Sequence, residues 1–280
     1  MMQKAVLVND FQGREFFIDD LKNIFRKRKF FLRCQSIVPV SERSKGSTSY
    51  EILIGFDKTS FTDVMNVSDL VENLEFMGRS VLMDHLVMSG VVNASIIEYF
   101  CTDEYSRLHL NLSGHSINKS YFMARILRLL RCGVLPPNRI CFELTETAKI
   151  DDLQKTATFL HQAKELGCSF ALDDFGKGFS SLDYVVNLPI DTIKIDGSII
   201  KHVATNSRAR AALKSIVALA SEVGADTVAE CVENLKQFYV VKEMGVDFIQ
   251  GALVGMPKPF MALTIRKKPT LYKNFLWFSV

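Results

Sequence analysis

Acidic and amide residues recur at or near the ends of short β-rich runs in this 280-residue chain. The residues placed in this way are Glu51, Asn111, Glu143, Asp173, Asp174, Asp196 and Glu230. A lone acid at such a point usually caps a helix or orders a loop, and we prefer this interpretation for Asp196, which precedes Gly197 and Ser198. Asp173 and Asp174 differ, because two adjacent like charges that end an apolar run are costly without a cation.

The ligand atoms that this set offers are oxygens, which select a hard ion such as Mg²⁺, Mn²⁺ or Ca²⁺. Carboxylates that converge on one place raise one another's pKa values unless a cation neutralises them. A zinc site is not expected, because the five histidines are dispersed and none has ligand spacing to another. Lys194 lies two residues before Asp196 and could hold or activate a water, or stabilise charge on a phosphoryl oxygen. The pattern predicts a divalent-metal site beside a lysine.

The elements that must bring these residues together alternate between β-rich runs and amphipathic helical runs. Strands are predicted at 31–40, 50–56, 107–112, 139–144, 169–173, 192–196, 226–230 and 248–253, and helices at 119–133, 151–166 and 207–223. Such alternation predicts parallel strands with helices outside, and about eight strands in about 250 residues favour a closed barrel. The polar turn at 41–49 predicts an antiparallel hairpin of the first two strands. We therefore expect an α/β fold, a modified (β/α)₈ TIM-like barrel with one antiparallel strand, and a site at the carboxyl ends of its strands.

The composition is that of an ordinary globular protein, with 48% hydrophobic and 23% charged residues. We expect a barrel domain over residues 14–262, an N-terminal extension at 1–13 and a C-terminal tail at 263–280. A net charge of +3 does not argue for a DNA or RNA polymer as partner, or for membrane contact by this domain. Six scattered cysteines without a CxxC pair, and the lack of a secretory signal or a run of about 20 apolar residues, predict a cytoplasmic setting. A larger, membrane-bound protein could still carry such a domain.

From about Arg14 to Phe260 the chain resembles the EAL-domain family of cyclic-di-GMP phosphodiesterases. The stretches that carry the resemblance are ELTE at 143–146, DDFGKGFSSL at 173–182, LPIDTIKID at 188–196, AECVE at 229–233 and QGALVGMP at 250–257. The N-terminal half is looser: QSIVPV, YEILIGF and LNLS are similar to the family's QPI, YEALLRW and VNLS motifs. Five ordered motifs in one half of the chain make a chance similarity improbable.

The resemblance implies hydrolysis of cyclic-di-GMP to linear pGpG by a water activated between two Mg²⁺ or Mn²⁺ ions, with Ca²⁺ inhibitory. Such ions lie about 4 Å apart and stabilise both the attacking and the leaving oxygen. The implied metal ligands are Glu51, Asn111, Glu143, Asp173 and Asp174. Lys194 is similar to the residue that binds the attacking water, and Glu230 to the acid that orients the water or acts as base. The implied substrate-side or supporting residues are Gln35, Gln250, Glu233 and Glu146, the last of which anchors the loop after Asp174. The resemblance also implies a homodimer, with sensor domains or a regulatory partner possible.

Three of the positions that depart from the family's pattern bear on the site. Gly55 replaces an arginine that contacts the substrate phosphate, a contact worth about 1.5–3 kcal/mol, so we predict that Gly55→Arg tightens substrate binding. Cys231 replaces a glycine and could crowd Glu230. Lys177 replaces a threonine, and we prefer a solvated loop lysine to a phosphate contact. Two main hypotheses remain: an active phosphodiesterase, or a catalytically weak or inactive domain that binds cyclic-di-GMP or a protein partner as a receptor; a different phosphoester substrate is a third.

Overall fold

The computed structural model describes residues 7–9, 15–17, 30–40, 48–56, 74, 80–93, 106–145, 150–177 and 181–259. Strands β1 (Leu7–Asn9) and β2 (Glu15–Phe17) pair with each other in a separate antiparallel hairpin. The strands of the main sheet are β3 (Phe30–Pro39), β4 (Ser49–Phe56), β5 (Leu108–Leu112), β6 (Ile140–Thr145), β7 (Ser169–Phe175), β8 (Thr192–Ile195), β9 (Asp226–Ala229), β10 (Phe248–Ile249) and β11 (Lys258–Pro259). The predicted tail at 263–280 lies outside the described residues, as does most of the predicted extension at 1–13.

Strands β3 to β10 close into a barrel. Each strand from β4 to β9 pairs in parallel with the next, and β3 is antiparallel to both β4 and β10. The closing pair sets Phe248 opposite Pro39, and β11 adds to β3 through Lys258 and Pro259. The predicted modified barrel, its single antiparallel strand and the hairpin of β3 and β4 are confirmed.

The helices lie between the strands in the chain. They are α1 (Val81–Asn93), α2 (Gly114–Ile117), α3 (Ser120–Arg131), α4 (Leu153–Glu165), α5 (Ser181–Asn187), α6 (Gly197–Ile200), α7 (Ser207–Val223) and α8 (Leu235–Glu243), with a 3₁₀ turn at Pro137–Arg139. The three predicted helices are confirmed as α3, α4 and α7, within two residues at each end. Asp152 caps α4 by accepting a hydrogen bond from the Lys155 N–H at 2.9 Å. Gly224, in the left-handed region at φ 73°, ends α7.

The last barrel strand is shorter than predicted. The prediction ran to residue 253, whereas β10 ends at Ile249. Gly251, at φ 149°, lies so close to the Val232 backbone that a Cβ on it would be 2.4 Å from the Val232 nitrogen. The chain therefore turns here along the loop after β9, a path that only glycine allows.

The alternation of side chains separates an apolar outer layer from a polar interior. Leu108, Leu110 and Leu112 of β5 belong to the hydrophobic core, as do Phe142 of β6 and Phe170 of β7. The residues between them in the strands point the opposite way, into the barrel, because successive side chains of a strand alternate between its faces. Acidic residues at these alternate positions therefore face one another across the barrel.

The described residues include no helix that combines the length and the apolar character needed to cross a bilayer.

Candidate metal centre

The site is built around the ammonium group of Lys194, which comes from the middle of β8 and has no solvent exposure. Its Nζ lies 2.8 Å from Asp173 Oδ1, 2.9 Å from Glu230 Oε1, 3.0 Å from Glu143 Oε2 and 3.6 Å from Glu51 Oε2. Burial alone would lower the pKa of Lys194, but the four carboxylates outweigh it and hold the pKa well above its ordinary value. The lysine is therefore a permanent cation, and one positive charge is shared among four acids.

Glu51 is held in place by the side-chain carboxamides of two neighbouring residues. Asn111 Nδ2 donates to Glu51 Oε1 at 3.0 Å, and Gln250 Nε2 donates to Glu51 Oε2 at 2.6 Å. Burial would raise the pKa of Glu51, but Lys194 and these two hydrogen bonds together leave the pKa below its ordinary value. Glu51 is therefore an ionised carboxylate with a fixed orientation, as a metal ligand must be.

Besides Lys194, Glu143 has a second neighbour that can donate a hydrogen bond, and this neighbour was not predicted from the sequence. His109 Nδ1 lies 2.8 Å from Glu143 Oε1 in a buried contact. Burial raises the pKa of Glu143 well above its ordinary value, since repulsion by Glu51 and Asp173 adds to burial while Lys194 opposes both. The signal was available, because His109 precedes Asn111 by two residues and must share its face of β5.

A bulge brings the two adjacent aspartates to the same mouth. The register between β7 and β8 shifts between Leu172 and Phe175, and Asp174 takes the left-handed conformation at φ 57°. An unbroken strand would send successive side chains to opposite faces, so the bulge is what re-aims Asp174. As a result, one carboxylate oxygen each from Asp173, Asp174 and Glu230 lies within 4.8 Å of the others.

This trio fits a hard divalent cation. The Asp173 Oδ1 atom is buried and has no well-directed hydrogen bond, although the Lys194 ammonium is close to it. The pKa values of Asp174 and Glu230 are raised, first by burial and then by neighbouring acids, among which Asp173 is prominent; Lys194 opposes the shift at Glu230. Oxygen ligands with this uncompensated negative charge suit Mg²⁺ or Mn²⁺. Asp173, Asp174 and Glu230 would hold such an ion directly.

The other residues proposed as ligands or supports lie at different distances from this trio. Glu51 and Asn111 contact each other, and Glu51 and Glu143 meet the trio through Lys194. Gln250 Nε2 also donates to Gln35 Oε1 at 3.1 Å, which places both glutamines at Glu51.

Among the described residues, Glu233 makes no side-chain hydrogen bond or ion pair with this network. Glu233 is exposed, on the loop between β9 and α8, and its backbone N–H donates to Gln237 Oε1 at 2.8 Å. Glu146 lies outside the described residues. Asp196 is an N-cap, as preferred, and accepts from the Ser198 N–H at 2.9 Å.

The departures at Gly55 and Cys231 have steric consequences. Gly55 faces Phe31 across the β3–β4 hairpin, and a Cβ on it would lie 2.7 Å from a ring carbon of Phe31. Gly55→Arg therefore needs this ring to move before it can reach substrate. Cys231 has a left-handed φ of 53°, and its Sγ would be 2.6 Å from a Cβ placed on Gly197. The strain at Cys231 occurs directly beside Glu230, whereas the thiol is accommodated because Gly197 has no side chain.

A TIM-type barrel with a cluster of oxygen ligands that fits a divalent cation at the carboxyl ends of its strands is the class that this fold and site define. The sequence model of the EAL domain family matches residues 18–257, and the chain belongs to this family.

Several relatives are named cyclic-di-GMP phosphodiesterases. The chain is 38% identical over 152 residues to cyclic di-GMP phosphodiesterase PdeB of Shewanella oneidensis. The aligned region covers 54% of this chain and 18% of PdeB. The chain is 28% identical over 255 residues to cyclic di-GMP phosphodiesterase PdeF of Escherichia coli, covering 91% of this chain and 33% of PdeF. The chain thus spans a third or less of the length of these two relatives.

Solved structures share the fold. The PaMucR phosphodiesterase in complex with c-di-GMP superposes with a TM-score of 0.76 at 24% identity, over 88% of this chain and 98% of that one. The FimX EAL domain from Pseudomonas aeruginosa bound to c-di-GMP gives a TM-score of 0.72 at 19% identity, over 86% of this chain and 96% of that one.

Proposed function

We propose that this domain is a metal-dependent phosphodiesterase that hydrolyses cyclic-di-GMP to linear pGpG in bacterial second-messenger signalling. The observation that carries the proposal is the convergence of Asp173, Asp174 and Glu230 within 4.8 Å of one another, next to a buried lysine. The names of the relatives support the substrate, and oxygen ligands support Mg²⁺ or Mn²⁺, with two ions expected. Bound at such a site, the ions supply a water of lowered pKa and neutralise charge on the phosphoryl oxygens.

Lys194 acts as a donor in this proposal. Its raised pKa excludes a role as base at neutral pH. Its three N–H groups face Asp173, Glu143 and Glu230, and one of them would turn to a water or phosphoryl oxygen once Asp173 and Glu230 bind the ion. A buried, fixed cation of this kind costs no reorganisation during the reaction.

Glu230 is the proposed proton acceptor. Burial raises the pKa of Glu230 well above the ordinary value in the site without an ion. With the ion bound, the Glu230 oxygen that does not face it would accept the proton. The side chain of Glu230 keeps 16% exposure, against none for the side chain of Glu143. Glu230 is therefore the more accessible of the two for a proton from the attacking water.

The test is turnover of cyclic-di-GMP by the purified protein with Mn²⁺ or Mg²⁺, with pGpG followed by chromatography. Asp173→Asn and Glu51→Ala should abolish turnover and keep the circular dichroism spectrum of the fold. Asp152→Asn is the matched control, because an exposed helix cap tolerates asparagine and turnover should be unchanged. Ca²⁺ as the sole divalent ion should not support turnover.

The alternative is a receptor that binds cyclic-di-GMP without hydrolysing it. The strain at Cys231 beside Glu230, and the missing side chain at Gly55, are the observations that favour it. Binding of cyclic-di-GMP without any pGpG at high protein concentration would establish the receptor and refute the enzyme. A homodimer and regulation by a sensor domain or partner stay predictions from the family resemblance.

A further inference from the structure

Arg33 lies on the inward face of the barrel, one step nearer the opening than the metal centre. The β3–β4 register sets Gln35 opposite Glu51 and Arg33 opposite Leu53. Residues two apart share a face of a strand, so Arg33 is on the same face as Gln35. The carboxyl end of β4 is at the mouth, and the step from Glu51 to Leu53 leads towards it. Arg33 therefore stands about 7 Å further towards the mouth than Gln35.

The side chain of Arg33 runs past Gly55 and is held at its guanidinium by a hydrogen bond. Its Cδ lies 3.1 Å from the place of a Cβ on Gly55, so any larger residue at 55 would crowd the arginine stem. Its Nη2 donates to the Pro257 carbonyl at 2.6 Å. The bond to Pro257 adds to the pairing of Pro259 with the Arg33 backbone. The guanidinium is thus positioned before any ligand arrives.

The charge of Arg33 has no carboxylate partner at ion-pair distance in the described part of the chain, where its recorded side-chain hydrogen bond goes to a neutral carbonyl. A half-buried guanidinium with donors to spare is suited to a phosphate, because its planar fork matches two phosphate oxygens. The acids of the metal centre lie deeper, beginning with Glu51 opposite Gln35. A dinucleotide that places one phosphodiester at that centre extends outward past Arg33.

We propose that Arg33 is a substrate-binding residue whose guanidinium holds a phosphate of the bound cyclic dinucleotide at the mouth of the barrel. The inference rests on the proposed function for the identity of the ligand. Gly55 is part of the arrangement, because the absent side chain leaves a space that the Phe31 ring and the arginine stem share.

The experiment compares wild type, Arg33→Ala and Arg33→Lys, with Arg131→Ala as a control on the exposed end of α3. The kcat and KM for cyclic-di-GMP are measured with Mn²⁺, and the Kd is measured by calorimetry in a Glu230→Gln background. Arg33→Ala should raise KM and Kd about tenfold to a hundredfold and leave kcat within about threefold. Arg33→Lys should recover part of the affinity, because it keeps the charge and loses the fork. The control should match wild type.

A purely structural role through Pro257 gives a different result. In that case the melting temperature and the Mn²⁺ affinity fall with Arg33→Ala, and Arg33→Lys does not restore substrate affinity. That result overturns the inference, as does an unchanged KM and Kd in Arg33→Ala.

The outcome also separates this inference from the proposed function. If the wild type binds cyclic-di-GMP without turnover, the enzyme is refuted while the ratio of the Kd values still decides on Arg33. If the wild type neither binds nor hydrolyses it, both proposals are overturned.

Discussion

Replacing Lys194 by methionine removes the ammonium group that four carboxylates share and keeps a side chain of similar length. Its Nζ lies within 3.0 Å of Asp173, Glu143 and Glu230. Breaking a buried ion pair by removing one partner costs about 3–5 kcal/mol, because the other charge stays buried and uncompensated. At about 2–4 °C per kcal/mol for a domain of this size, the melting temperature in EDTA should fall by roughly 6–20 °C.

The pH dependence of this loss has a defined sign. The pKa values of Glu143 and Glu230 are raised by burial, even with Lys194 present to oppose it. Without the ammonium these pKa values rise further, so protonation relieves the repulsion at low pH and cannot do so at high pH. The destabilisation should therefore be greater at pH 8 than at pH 6.

Mn²⁺ provides the internal check of this reasoning. If the carboxylates are metal ligands, the ion should stabilise Lys194→Met more than wild type, because it replaces the lost positive charge. Catalysis should not be restored, since the donor at Nζ is absent. Lys164→Met is the control: its pair with Asp191 at 2.6 Å is about one-third exposed, and it should lose less than about 1 kcal/mol. An equal effect of the two substitutions, measured by thermal melts in EDTA, would refute the reasoning.

Three further predictions concern strain, titration and packing. Cys231→Gly should raise the free energy of unfolding by up to about 1 kcal/mol in urea melts, because glycine adopts the φ of 53° without strain; a loss of stability would contradict this. Burial first, and then Arg125, lower the pKa of His85 from 6.5 to about 4. The contribution of His85 to the free energy of unfolding is therefore present above pH 6.5 and is lost as the pH falls through 4. For this half-buried group we expect about 1–2 kcal/mol after solvent screening, visible as a flatter pH dependence of unfolding in His85→Gln; equal slopes would count against it. Gly55→Arg alone should lower the free energy of unfolding by about 1–3 kcal/mol through overpacking, and adding Phe31→Ala should recover most of that loss in thermal melts. No loss in Gly55→Arg would show that the Phe31 ring moves aside freely.

The barrel could be predicted from the sequence because its evidence is local. Each strand and helix has its own hydrophobic period, and the hairpin of β3 and β4 follows from the polar turn between them. The bulge at Asp173 and Asp174 could not be predicted in this way. It depends on the register between β7 and β8, which is a relation between segments that the period of either one does not contain.

The partners of the site residues show the same limit. Lys194 was expected among the strand-end acids as a group, and the structure shows which of them it contacts, including Glu143 and Asp173 from other strands. Asp196 instead caps α6. Sequence spacing identified the face of the strand correctly, and only the closure of the barrel decides which acids meet on it.

Gly55 shows why a site should be compared by position in space as well as by position in the chain. Along the chain, the loss of an arginine at 55 indicates a weakened grip on phosphate. Across the hairpin, Arg33 lies one register step from Gly55, and its stem shares with the Phe31 ring the space that glycine leaves. Neighbouring strands of a barrel line the same interior surface, so a charge lost from one strand can be supplied by the next. The pair of Gly55 and Arg33 is therefore better understood as one arrangement than as a defect and an unrelated surface residue.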